Sequence, residues 1–181
     1  LVDLRLPVQL VLRPNLDFRG FAGTIASGVV RVGDELVALP SGKKSRVKTL
    51  ASAGAAVEEA FAPMAVTLTL EDEIDVSRGD LFVRPNNAPE LENTLEAMIV
   101  WMSEVALQPG RSYLLKQTTQ TVPATVTDVR YRMSVETLRS EPADMLKLNE
   151  IGRIRVECAR AIATDAYSRN RQTGAFILVD R

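Results

Sequence analysis

The sequence predicts an all-β protein built from two consecutive antiparallel β-barrels. Short apolar runs recur at regular spacing through the first half and are separated by turn-forming residues. A stretch rich in proline and asparagine, RPNNAPE at 84–90, interrupts this series. Beyond it, β-rich segments resume and continue to the end of the chain. We therefore predict one barrel domain over 1–87 and a second over 88–181.

The first half reads as about six short strands with turns between them. The alternation in RLPVQLVLR predicts a first strand with Leu6, Val8 and Leu10 on one face. Six strands in fewer than 90 residues, with no convincing helical pattern, favour a closed antiparallel barrel. The strands predicted after the first are FAGTIASG, ELVAL, SRVKTL, AVTLTL and DLFV.

The second half is less uniform. Strands are predicted for ATVTDVRYRMSV at 124–135, for RIRVECA and for GAFILVD at 174–180. The alternation in RIRVECA places Cys158 on the apolar face of its strand, which predicts a buried thiol of the core. The apolar spacing in LENTLEAMIVWM fits a helix, whereas its β-branched and aromatic residues also suit a strand, so local pattern leaves this segment open.

Composition excludes several classes of function. The net charge is −1 and is evenly balanced in the two halves, whereas a nucleic-acid binder normally carries an excess of positive charge. The longest apolar runs are far too short for a membrane span. The chain has no histidine, which removes Ser-His-Asp and Cys-His catalysis, and its single cysteine fits a reducing, cytoplasmic setting.

The stretch GTIASGV has the glycine spacing of a phosphate-binding loop. Such a loop needs a lysine next, followed by a serine or threonine for magnesium, but Val29 and Val30 stand at these positions. We therefore interpret the glycines as places where a small barrel bends or turns. The acidic run EDEIDVSRGD does not fit a calcium loop, because counting from Glu71 the positions for glycine and glutamate hold Val76 and Phe82. We interpret this run as a solvated connection.

The segment DAYSRNRQTGAFILVD at 165–180 is the strongest candidate for a special loop. Arg169, Asn170 and Arg171 precede Thr173 and Gly174 and then an apolar strand. Arginine forks suit carboxylates, phosphates and interface partners. The alternative interpretation is an ordinary exposed loop with a glycine at the entry of a strand.

Several stretches together resemble the large, GTP-binding subunit of bacterial sulfate adenylyltransferase. They include RPNLDFRGFAGTIASGVVRVGDEL, TLEDEIDVSRGD and NRQTGAFILVD, and the likeness extends from Leu6 to Asp180. This family is one of the elongation-factor-like GTPases, in which two β-barrel domains follow a nucleotide domain. The resemblance therefore implies the domain 2 and domain 3 barrels without the GTPase domain. It also implies a strand around 96–102.

The resemblance also implies partners and cofactors. In the family, the small subunit makes adenylyl sulfate and pyrophosphate from ATP and sulfate, and GTP hydrolysis in the large subunit drives that step. GTP and magnesium would bind the upstream GTPase domain and ATP the small subunit, with no catalytic, cofactor or metal residue in this chain. In some bacteria an adenylylsulfate kinase domain follows. The chain lacks an initiator Met, so we expect it to be a piece of a longer protein.

Two surfaces are predicted to contact neighbours. The loop after the first strand is expected to face the GTPase domain, and the 169–171 segment is expected to face another domain or subunit. The alternative function is a tRNA-binding barrel module of a translation elongation or release factor, which the shared fold would equally allow. The predicted interface residues are Asn15, Asp17, Arg19, Arg169, Asn170 and Arg171.

Overall fold

A computed structural model describes residues 2–15 and 18–180, and every regular element in this part of the chain is a β-strand. The predicted all-β fold class is confirmed. The first half contributes ten strands, numbered in chain order: β1 (Leu6–Pro7), β2 (Leu10–Leu12), β3 (Gly20–Thr24), β4 (Val29–Arg31), β5 (Glu35–Leu39), β6 (Lys43–Ser52), β7 (Ala55–Ala56), β8 (Glu59–Phe61), β9 (Ala65–Leu70) and β10 (Leu81–Val83).

The second half contributes six longer or more widely spaced strands. They are β11 (Glu90–Val100), β12 (Ser112–Gln117), β13 (Gln120–Met133), β14 (Ser140–Glu141), β15 (Ile151–Thr164) and β16 (Ile177–Val179).

The strands of the first half form an antiparallel sheet in the order β1-β10-β5-β6-β9-β3-β2, with β7 added to β6. Strands β4 and β8 pair separately. The alternation in β9 buries Val66, Leu68 and Leu70, as its sequence predicts. Leu10 does not continue the buried face of Leu6, because the chain leaves the first strand after Pro7 and begins a new one at Leu10, which is 53% exposed.

The core of the first half is one continuous apolar cluster. Phe21 and Phe82 meet edge to face at its centre, with ring centroids 5.6 Å apart. A second, smaller cluster lies on the outer face of β5 and β10, where Val37, Leu81 and Ala163 are buried together. Residues of the C-terminal half therefore cover part of the first sheet.

The second sheet has the order β11-β15-β13-β12-β16, with β14 paired to β13. Trp101 and Tyr113 pack edge to face in its core at 5.6 Å. Ile154, Val156 and Cys158 are all buried, so the alternation predicted for RIRVECA is confirmed. Burial raises the pKa of the Cys158 thiol, which keeps it protonated and makes it an inert core residue.

The segment that local pattern left open is a strand. β11 begins at Glu90, earlier than the resemblance implied, and ends at Val100, just before the buried Trp101. The helical interpretation is wrong, because Met98 and Met102 of the supposed apolar stripe are 45% and 80% exposed. Glu96 points away from the core and pairs with arginines of β13 and β15, which stabilises the extended conformation from outside.

The chain forms two compact units, and neither is one continuous stretch of the sequence. Unit 1 comprises Leu1–Leu91 together with Gln117–Gln120 and Ala163–Phe176, and unit 2 comprises the remaining residues. The segment Ala163–Phe176 thus packs with the first half, although it lies near the end of the sequence. The division into domains at 87 and 88 stays a prediction.

Two glycines show why this chain needs them outside any phosphate-binding role. Gly28 and Gly33 have φ angles of +79° and +85°, a region that residues with a Cβ rarely adopt. A Cβ at Gly28 would also lie 2.7 Å from Cα of Leu4, whereas a Cβ at Gly33 would meet nothing within 4 Å. The interpretation of these glycines as turn positions is confirmed.

Alanine substitutions at Gly28 and Gly33 separate the cost of a steric clash from the cost of a positive φ angle, because only Gly28 has close neighbours. Gly33→Ala should lower the free energy of unfolding by about 1–2 kcal/mol, the cost of a left-handed alanine. Gly28→Ala should lower it by about 1–3 kcal/mol more, because the methyl group meets backbone atoms that cannot move aside easily. Urea unfolding of both variants tests this, and equal losses would contradict the packing argument.

Candidate protein interface

The loop that contains the predicted arginines is anchored to unit 1 by a buried ion pair. Arg5 Nε donates to Asp165 Oδ2 at 2.7 Å, and Arg5 Nη2 donates to Asp165 Oδ1 at 2.8 Å. The Arg5 side chain is 1% exposed and that of Asp165 is 4% exposed. This two-point geometry joins residues 160 positions apart in the sequence.

The remaining donors of Arg5 are also used. Its Nη1 donates to the carbonyl oxygens of Leu4 and Asn87 at 2.9 and 2.8 Å. Thr173 Oγ1 donates to Asp165 at 2.6 Å, so the carboxylate accepts from two side chains. A buried charge is tolerated only when it is paired and hydrogen-bonded, and this cluster meets that condition.

Opposing effects act on the pKa of Asp165. Burial alone would raise the pKa, but hydrogen bonds from Arg5 and Thr173, with the charges of Arg5 and Arg169, lower it below the ordinary value of 3.8. Asp165 is therefore an ionised structural group at neutral pH.

The backbone of the loop is held by its own hydrogen bonds. The carbonyl oxygen of Ala166 accepts from the amides of Arg169 and Asn170 at 2.8 and 3.0 Å. Asn170 Oδ1 accepts from the amides of Gln172 and Thr173, as asparagine does in tight turns. Gly174 is packed so closely that an added Cβ would lie 2.7 Å from three backbone atoms. The loop has little room to change its conformation.

The structure places the three predicted loop residues in different roles. Arg169 pairs with Asp3 at 2.5 Å, although its own side chain is 63% exposed. Asn170 Nδ2 donates to Ser27 Oγ at 2.9 Å. The guanidinium of Arg171 lies over the ring of Tyr167, 6.0 Å from its centroid. Arg171 alone of the three is exposed without a hydrogen bond to another side chain of the described residues.

These side chains border a cavity of about 450 Å³ in unit 1, which we call the basic cavity. It is lined by residues of the chain start, of the β3–β4 turn and of the 165–172 loop: Val2, Asp3, Ala26, Ser27, Asp165, Arg169, Asn170, Arg171 and Gln172. A side-chain hydrogen bond from Asn87 and the guanidinium of Arg169 lower the pKa of Asp3, which remains ionised at the rim.

The other predicted surface is not brought into contact with this loop by any described interaction. Arg19 pairs with Asp75 at 3.2 Å and lies over the ring of Phe21, with 5.5 Å to the centroid. Asn15 lies in the turn after β2, and Asp17 falls outside the described residues. The assignment of both surfaces as interfaces stays a prediction.

Sequence reasoning missed the residues that hold the site together. Arg5 lies between two buried leucines in a segment interpreted only as a strand, and no period identifies its partner Asp165. Asp3 and Ser27 likewise have no local pattern. The only available signal was the charged residue within an apolar run, which indicates a buried partner but not which one.

The acidic run at 71–80 takes part in structural contacts. Asp72 accepts a hydrogen bond from Ser45 at 2.9 Å, and Asp75 pairs with Arg19. Within residues 2–15 and 18–180, no group of three His, Cys, Asp or Glu side chains could hold a metal ion. In the same residues, no helix has the length and hydropathy needed to cross a membrane.

Comparison with known proteins first defines the class. Residues 94–181 match the family described as GTP-eEF1A C-terminal domain-like. The crystal structure of sup35 complexed with GDP is similar with a TM-score of 0.90 at 14% identity, over 99% of this chain and 45% of that one. The chain is therefore a pair of β-barrels of the elongation-factor domain 2 and domain 3 type.

Sequence comparison then identifies the particular relatives. The chain is 57% identical over its whole length to the bifunctional enzyme CysN/CysC of Rhodopirellula baltica, and 48% identical over 99% of its length to sulfate adenylyltransferase subunit 1 of a Sulfurovum species. It is homologous to a segment of sulfate adenylyltransferase subunit 1, which confirms the resemblance seen in the sequence. The chain spans 28% and 39% of these two relatives.

The ion pair at the base of the loop gives a test of the site's construction. Asp165→Asn should lower the free energy of unfolding by about 3–5 kcal/mol at neutral pH, because Arg5 is left buried without its counter-charge. The double variant Arg5→Met with Asp165→Leu removes both charges and should recover part of that loss. Urea unfolding measures all three chains, and a double variant worse than the single one would contradict this account.

The same pair predicts a pH dependence with a defined sign. The folded-state pKa of Asp165 is lowered, so its contribution is complete above the unfolded value near 3.8 and is lost as the pH falls below it. The difference in unfolding free energy between wild type and Asp165→Asn should therefore shrink below about pH 4. A difference that stays constant from pH 7 to pH 3 would show that the carboxylate charge is not responsible.

Proposed function

We propose that this chain is the double-barrel region of a sulfate adenylyltransferase large subunit, and that it relays GTP hydrolysis to adenylyl sulfate synthesis on a small subunit. The observation that carries the proposal is the identity of 48–57% with sulfate-activating relatives over 99–100% of the chain. In this function the barrels perform no chemistry. They bind a GTPase domain and transmit its nucleotide-dependent position by making different contacts in two states.

The packing of unit 1 supports a role as a rigid body that transmits movement. A relay requires a part that moves without deforming, and close-packed cores transmit displacement for this reason. In unit 1 the apolar core, the Arg5–Asp165 pair and the backbone bonds of the loop all act against deformation. The exposed arginine side chains at 169 and 171 are then carried on a rigid support.

The parent protein would use its cofactors outside this chain. GTP and magnesium would bind the upstream GTPase domain, and ATP and sulfate would bind the small subunit. The relative named bifunctional enzyme CysN/CysC suggests that an adenylylsulfate kinase domain follows in some parents.

The translation-factor alternative rests on the fold alone. Similarity to sup35 at 14% identity shows that the same barrels occur there, but it does not carry a function across. The net charge of −1 gives no electrostatic support for tRNA binding. We expect no salt-sensitive binding of aminoacyl-tRNA in a filter assay at two salt concentrations, and tight binding that weakens steeply with salt would favour the alternative.

The relay is tested in the complete complex of large and small subunits. Arg19→Ala and Arg171→Ala should each reduce the GTP stimulation of adenylyl sulfate synthesis by about five-fold or more, the lower end of typical coupling energies. The control is Arg160→Ala, which removes an exposed arginine of β15. Circular dichroism should show unchanged β structure in every variant. If both test variants retain full stimulation, these two surfaces are not part of the relay.

A further inference from the structure

We propose that the basic cavity binds one carboxylate side chain from the GTPase domain that precedes this chain in the parent protein, with Arg171 as the principal ligand. This inference rests on the proposed function, since it needs such a domain. It adds a residue-level binding site, a ligand chemistry and a source for the ligand.

The charges around the basic cavity leave one cation uncompensated. The lining contains the carboxylates of Asp3 and Asp165 and the guanidinium groups of Arg169 and Arg171, with Arg5 directly beneath. Arg5 is neutralised by Asp165 at 2.7 Å, and Arg169 is neutralised by Asp3 at 2.5 Å. No carboxylate of the described residues forms an ion pair with Arg171. The cavity therefore has room for one negative charge.

The hydrogen-bond donors that remain unused in the basic cavity are suited to a carboxylate. Asn170 is already occupied, because its Nδ2 donates to Ser27 and its Oδ1 accepts from two amides. The side chains of Arg171 and Gln172 have no hydrogen bond within the described part of the chain. A planar guanidinium fork binds a carboxylate through two parallel hydrogen bonds, and the neighbouring amide can add a third.

Contacts within the loop restrict the position of the Arg171 guanidinium. Arg171 lies over the Tyr167 ring, and its backbone belongs to the loop fixed by Ala166, Asn170 and Gly174. Less rotamer freedom is lost on binding when a side chain is already positioned, so a single ion pair here gains more than one made by a freely moving surface arginine.

The position of the cavity indicates the source of the carboxylate. Val2 and Asp3 line the cavity, so the first described residue of the chain lies beside it. A group tethered close to the cavity has a high effective concentration there. One ion pair can then form even if it would be too weak between separate molecules. A GTPase domain attached there is the best-placed donor.

The proposal is tested by cross-linking a lysine at position 171 to the carboxylate that contacts it. Arg171→Lys keeps the positive charge and provides an amine, which a water-soluble carbodiimide couples to a carboxylate only in direct contact. The reaction is run on the complete large subunit with its small subunit, with GDP and with a non-hydrolysable GTP analogue. Mass spectrometry then identifies the peptide joined to position 171.

We expect a cross-link from position 171 to an aspartate or glutamate of the GTPase domain in at least one nucleotide state. Raising the salt concentration during coupling should reduce its yield several-fold, because a partly exposed ion pair is screened. The matched control is Arg78→Lys, an exposed position of unit 1 outside the cavity, which should give no cross-link to the GTPase domain.

Other outcomes overturn the inference. A cross-link from position 171 only to Asp3, only to the small subunit, or to no carboxylate at all would each reject the proposed ligand. Wild-type complex assayed in parallel separates this failure from failure of the proposed function. If GTP stimulates adenylyl sulfate synthesis but no GTPase-domain cross-link forms, the relay stands and the cavity assignment falls. If GTP has no effect on synthesis, the relay itself is wrong.

Discussion

The buried Arg5–Asp165 pair is the interaction on which the rest of unit 1 depends. A guanidinium in an apolar environment must have a counter-charge and partners for its remaining donors, and here they come from Asp165, Leu4 and Asn87. The requirement fixes where the segment Ala163–Phe176 lies, although that segment is far away in the sequence. Once Asp165 is placed, Thr173 and the backbone bonds of Ala166 and Asn170 determine the course of the loop.

The arginines of unit 1 show how one residue type serves two purposes. Arg5 is buried and all its hydrogen-bonding groups are satisfied inside the protein, so it contributes to architecture. Arg171 is exposed on a loop whose backbone is held by hydrogen bonds, its guanidinium lies over the Tyr167 ring, and no carboxylate of the described residues pairs with it. The difference arises from burial and from the availability of a carboxylate, and the residue's intrinsic chemistry is the same in both places.

The comparison with sup35 separates what the barrels provide from what their surfaces provide. Nearly the whole chain superimposes on that protein at 14% identity, so this fold tolerates almost complete replacement of its sequence. The identity of 48–57% with the bifunctional enzyme CysN/CysC and with sulfate adenylyltransferase subunit 1 is therefore much more than the fold requires. The fold itself requires apolar side chains that alternate along the strands, and it does not by itself specify a function.

The sequence by itself determined the strands whose two faces differ in polarity. The alternation in β9 and β15 predicted both the element and the buried side chains, including Cys158, because a period of two is written directly into local sequence. It did not determine β11, whose apolar residues fit two periods and whose extended form is decided by pairing with other strands.

The candidate site shows the same limit. The sequence identified Arg169 to Arg171 as unusual, but only the tertiary structure joined Arg5 to Asp165 and set the loop beside Asp3 and Ser27. Contacts between residues so far apart in the chain form only when unit 1 is folded, and local sequence contains no period that records them.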